Sequence, residues 1–87
     1  MNDDLLPDLL AAVEQQLASP QTPYVARTYN RLIKLGTEPS EAKTQIAICL
    51  GEEMDLMLLK KRSFDEKAYR MSLEELPLPA EEVENAE

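Results

Sequence analysis

The sequence predicts an all-α, four-helix, bundle-like domain with a long central third helix and a mobile acidic C-terminal tail. Three observations carry that expectation. Glycine occurs only at Gly36 and Gly51. No stretch alternates β-branched and polar residues as a half-buried strand would. Nearly every segment instead repeats its apolar residues at helical spacing. Residues 1–76 are expected to form one helical domain and residues 77–87 the tail.

The first helix is expected from about Pro7 to Ala18. Proline suits the first helical position, where its missing N–H has no partner to lose. Leu6, Leu9, Leu10, Val13 and Leu17 recur at helical spacing, and Ser19-Pro20 closes the segment. The second runs from about Pro23 to Leu35, with Thr22 as N-cap and Gly36 as the stop. Its wheel sets Val25, Tyr29, Leu32 and Ile33 on one face, opposite Arg27, Arg31 and Lys34.

The third, about Pro39 to Arg62, is the longest and most apolar. Ala42, Ile46, Cys49, Leu50 and Met57 form one stripe, while Ile48, Met54, Leu56, Leu58 and Leu59 spread around the circumference. Such a helix is normally covered on several sides. Gly51 within it marks a place where another helix approaches closely. The fourth helix is expected to start at Ser63, where Ser63-Phe64-Asp65-Glu66 reads as a capping box. Ala68, Tyr69, Leu73 and Leu76 carry its apolar face, and Pro77 and Pro79 end it. The tail holds Leu78 and Val83 as its main apolar anchors and Glu81, Glu82, Glu84 and Glu87 with no cation, so it should add little to the core.

Composition excludes more functions than it offers. The chain has 87 residues, one cysteine and no histidine, so an internal disulfide and the common zinc sites cannot be assembled. There is no Gly-rich phosphate loop, nucleophile elbow or Cys-x-x-Cys pair. No metal, cofactor or catalytic residue is expected, and the protein reads as no enzyme. Seventeen acidic residues against nine basic ones give a net charge of −8, which repels phosphate backbones and argues against nucleic acid as a partner. No apolar run is long enough to span a membrane, and Met1-Asn2-Asp3-Asp4 is acidic where a signal peptide is basic. With a lone cysteine in an apolar run, the expected compartment is the cytoplasm.

Two sets of residues stand out as binding candidates. Tyr24, Arg27, Arg31 and Lys34 make a compact basic stripe, either a partner-binding face or a solvated helix face with weak ion pairs. Ile48, Glu52 and Leu59 lie on the far side of the third helix, where another subunit is the simplest cover, so a homodimer interface is expected there. Glu53 falls on the apolar side of the same helix, and reads as a ligand or general base, or as a structural ion pair with a cation such as Arg27 or Arg31. Cys49 should be buried and inert. Lys60-Lys61-Arg62 favours the dipole at the third helix's C-terminus. Met54, Met57 and Met71 serve either as core filler or as an adaptable surface.

The ordered pattern Glu14-Gln15-Gln16-Leu17, Arg31-Leu32, Leu35-Gly36, Glu41-Ala42, Ile46, Leu50 through Glu52-Glu53, then Phe64-Asp65-Glu66 and Tyr69 resembles a family of short bacterial helical domains of unknown function. In that family a hairpin with a Leu-Gly turn leads into a long helix, and members stand alone or precede a small Cys-rich metal-binding tail. The resemblance covers roughly residues 10–76. It departs from the family at Ser40, Lys43 and Thr44, where similar sequences often place histidine, and in the acidic tail that stands where the Cys-rich one would. It implies the fold and no mechanism. The expected function is protein–protein interaction or self-assembly. The alternative is an acidic decoy that inhibits a basic, nucleic-acid-binding protein, and a small hydrolase or metal-dependent accessory is the third reading.

Overall fold

The computed structural model describes residues 5–77. Its four helices, in chain order, are α1 (Leu6–Ala18), α2 (Pro23–Lys34), α3 (Pro39–Lys60) and α4 (Glu66–Glu74). The tail expected over 77–87 falls, apart from Pro77, outside the described residues. Among the described residues no strand occurs, and the all-α expectation holds. The long α3 is the centre of the bundle: it packs against α1, α2 and α4, while α2 also meets α1 and α4.

Proline stands in the first turn of α1, α2 and α3, and none of these three helices has a side-chain cap. Thr22 precedes α2 as expected, but its hydroxyl donates to the Gln16 carbonyl at 2.9 Å and so ties the turn to the end of α1. Gly36, at φ 99°, ends α2. Its N–H donates to the Ile33 carbonyl and that of Thr37 to the Leu32 carbonyl, both at 3.0 Å. This is the paired closure that left-handed glycine permits.

The start of α4 differs from the expected capping box at Ser63. The N-cap is Asp65, whose Oδ1 accepts from the Ala68 amide at 3.0 Å. Phe64 lies just outside the helix and packs its ring on Tyr69, with centroids 5.5 Å apart at 71°. This hydrophobic staple moves the entry two residues along the chain. Glu66, freed from the box, accepts instead from the Tyr24 hydroxyl at 2.8 Å. The preceding helix also ends earlier than Arg62. Lys61 takes the left-handed conformation at φ 52°, and the Arg62 amide donates back to the Met57 carbonyl at 3.1 Å.

The core joins Leu9 and Val13 of α1, Val25 and Leu32 of α2, Ile46 and Leu50 of α3, and Tyr69, Leu73 and Leu76 of the C-terminal segment. Tyr69 is wholly buried, and its hydroxyl donates to Gln16 Oε1 at 2.7 Å, so its polar tip is satisfied. The buried line on α2 is Val25, Thr28 and Leu32 rather than the face that included Ile33, which is exposed. Thr28 tolerates that place because its hydroxyl donates to the Tyr24 carbonyl at 2.9 Å. On α3, Ala42, Ile46, Cys49 and Leu50 are buried as expected, whereas Met57 is half-buried.

Candidate functional site

Two faces of the bundle carry chemistry that the core does not consume. The first is an apolar groove of about 460 Å³ between α1 and α3. Leu5, Leu9 and Ala12 form one wall and Gly51, Met54 and Leu58 the other, with Asp8 and Asp55 at the rim. Gly51 is buried and lines this groove. Leu58 is 69% exposed and Leu5 50%, and the neighbouring Leu59 is 78% exposed. These are large apolar surfaces for a chain of this size, and Leu5 and Leu58 lie together in the groove.

Of the three residues expected at a dimer face, one differs in exposure from the sequence reading. Glu52 and Leu59 are exposed as expected, but Ile48 is half-buried. Three helices pack around α3, and they reach further around it than a wheel can show. The open apolar surface therefore lies further along α3, at Met54, Leu58 and Leu59, and includes Leu5 of the segment before α1. The sequence reading missed Leu5, because nothing local says that α1 delivers its N-terminal end to the second half of α3.

The second face is built on the basic stripe of α2. Arg27 and Lys34 are exposed and hold no ion pair among the described residues. Arg31 is half-buried and otherwise engaged: Nη1 donates to the Leu76 carbonyl at 2.6 Å and Nη2 to the Leu73 carbonyl at 2.9 Å. The guanidinium thus satisfies carbonyls that the end of α4 leaves open. Tyr24 is shared with α4 as well, since Arg70 lies over its ring at 5.0 Å from the centroid. Burial, with a further push from the hydrogen bond to Glu66, raises the Tyr24 phenol to about 12. Arg70 completes a cleft of about 220 Å³ with Tyr24, Arg27, Arg31 and Glu74. The sequence reading missed Arg70, which comes from the other end of the chain.

The remaining candidates fall inside the fold. Glu53 is 6% exposed, as its wheel position requires, but its cation is neither Arg27 nor Arg31. Arg62 Nη2 stands 4.0 Å from Glu53 Oε1 and 3.9 Å from Asp65 Oδ2. The early end of α3 is what turns Arg62 back toward Glu53. At that distance Oε1 is buried with no hydrogen-bond donor among the described residues. Cys49 is buried, and burial, helped by Glu52, pushes its thiol up to about 11. It is protonated at neutral pH, the opposite of a reactive thiol. Among the methionines, Met54 and Met71 are exposed and Met57 half-buried, so two of the three are surface rather than filler.

Among the described residues, no group of three or more cysteine, aspartate or glutamate side chains gathers as metal ligands. No described helix is long and apolar enough to cross a membrane. No protein-family model, no curated protein and no solved structure matches the chain.

Proposed function

We propose that the protein is a small binding and assembly module, not an enzyme, and that its first partner is a second copy of itself. The observation that carries this reading is the exposed apolar surface of Leu5, Met54 and Leu58 at the α1–α3 groove, with exposed Leu59 next to Leu58 in the chain. The four described helices leave this surface uncovered, and closed two-fold pairing is the commonest cover for such a patch. Net charge of −8 opposes association in general. Asp8 and Asp55 at the rim add to that opposition, so the pairing rests on the apolar surface between them. Two α3 helices crossing antiparallel near Leu56 set Leu58 against the partner's Met54 and bring Lys60 beside the partner's Glu52. The buried thiol fits a reducing compartment such as the cytoplasm.

Sedimentation equilibrium at micromolar protein tests the reading. The expected species has twice the 9.8 kDa chain mass and reverts to monomer in Leu58→Asp. A monomer at every concentration overturns it.

A further inference from the structure

The basic face of α2 lies away from the groove and has no part in the assembly just proposed. Four of the nine basic residues of an acidic chain meet there: Arg27, Arg31, Lys34 and Arg70. Glu74 in the cleft and Glu66 against Tyr24 offset two of them. Arg27 and Lys34 stay exposed without an ion pair among the described residues, beside Leu35, which is 62% exposed. The face is therefore cationic with an apolar edge.

Arg31 also fixes where the chain leaves the bundle. Its guanidinium holds the Leu76 carbonyl at 2.6 Å, so everything after Leu76 starts from the middle of this face. The remaining sequence carries Leu78, Val83 and four glutamates, with no cation to compete. Arg27 and Lys34 lie about 6 and 4.5 Å from Arg31 along the helix axis. Glu81, five residues past Leu76, can reach up to about 17 Å. Arg27 and Lys34 are thus within range of the first glutamates. A tether this short holds the segment at an effective concentration on the order of millimolar, which a free acidic peptide must exceed.

We propose that this face is the docking site of the chain's own acidic segment, residues 78–87, which occupies it against other acidic partners. Glu81 and Glu82 engage Arg27 and Lys34, and Leu78 or Val83 covers Leu35. The contact is a surface one, so it is strong at low salt and screened at high salt.

The test compares the amide spectrum of the native full-length chain with that of a full-length variant carrying Glu81→Gln, Glu82→Gln, Glu84→Gln and Glu87→Gln. In about 0.01 M salt, the expected shift differences outside the segment itself are confined to Arg27, Arg31, Lys34, Leu35 and Arg70. They vanish near 1 M salt, where the Debye length falls to about 3 Å. They are also lost when Arg27→Gln and Lys34→Gln are added, and they do not change with protein concentration. Differences centred on Met54 and Leu58 would place the segment in the groove and overturn the proposal. So would the absence of any difference, or differences that grow with protein concentration, which would mean the segment of a second copy. Sedimentation equilibrium of both chains at the spectral concentrations separates a change in groove pairing from these outcomes.

Discussion

Arg31 and Leu76 are joined across 45 residues by a guanidinium-to-carbonyl hydrogen bond of 2.6 Å, and a second bond from the same group reaches Leu73 at 2.9 Å. This fork sets the end of α4 on α2. The short α4 has nine residues and no basic residue in its last turn, so its open carbonyls need a donor from elsewhere. Arg31 supplies it, with a planar fork that a lysine cannot imitate.

Arg31→Met should accordingly destabilise the fold by about 1–2 kcal/mol, the range for charged hydrogen bonds after allowance for partial exposure. Arg27→Met, four residues away and with no ion pair among the described residues, should stay within about 0.5 kcal/mol of the native chain. Urea unfolding of the two variants checks the difference. Equal effects would show that Arg31 is no more structural than its neighbour.

Glu53 offers the opposite sign. Its Oε1 is buried without a donor among the described residues, and the nearest cation there, Arg62, stands 4.0 Å away with much of its side chain in water. Removing the carboxylate therefore strands no buried partner. Glu53→Met, which keeps volume and loses charge, should raise stability by about 1 kcal/mol, at the low end of what replacing buried charged groups yields. A loss of similar size on thermal or urea unfolding would mean that Arg62 closes on Glu53 in solution.

How far the sequence disclosed this arrangement depends on the range of the interactions. Prolines at three helix starts and the glycine at 36 act on their own neighbours, and those helices lie within two residues of where spacing sets them. Glu53 was inward on the wheel and is inward in the fold. The start of α4 was not legible. Ser63 and Asp65 are equally good caps, and the Phe64–Tyr69 staple that favours Asp65 is seated in a core built by other helices. Arg31 looked like surface because its acceptors are backbone carbonyls, which leave no pattern in side-chain chemistry. The groove was hidden for the same reason, since Leu5 joins an apolar surface only through the way α1 crosses α3.

Lys61 sits at φ 52°, a conformation glycine adopts freely and lysine does not. Lys61→Gly should stabilise the fold by about 1 kcal/mol, the order of the left-handed penalty for a residue with a Cβ. The measurement is the urea midpoint at constant slope. An unchanged or lowered midpoint would mean that the lysine side chain contributes more there than its backbone costs.

Cys49 makes stability depend on alkaline pH. Its thiol rises from 9.0 to about 11 in the fold, chiefly through burial. The unfolded chain therefore loses its thiol proton first as pH climbs. The stabilising contribution is complete below about pH 9 and is lost as pH rises toward 11, amounting to about 2–3 kcal/mol. Tyr24, raised to about 12, adds a later loss that solvent screening keeps smaller. Cys49→Ala should remove the fall that begins near pH 9 and leave only the tyrosine loss that begins near pH 10. An unaltered profile in that variant would assign the whole alkaline loss to the tyrosines.

The two edges of α3 can be separated by single aspartates. Ile48 is half-buried, with buried neighbours on both sides at Ala47 and Cys49, whereas Leu59 is 78% exposed one residue from the helix end. An aspartate at 48 must pull apart packing within one chain, so Ile48→Asp should lower monomer stability by about 2 kcal/mol or more. An aspartate at 59 meets water in the monomer, and Leu59→Asp should stay within about 0.5 kcal/mol. In the proposed dimer the order should reverse. Leu59→Asp should weaken association by at least tenfold, because its charge would be desolvated beside Asp55 of the same helix, while a folded Ile48 variant with a milder change, Ile48→Val, should associate normally. Paired measurements of unfolding at submicromolar protein and of sedimentation at micromolar protein separate the two effects. If Ile48→Val weakens association and Leu59→Asp does not, the pairing surface lies toward the first half of α3 and not at the groove.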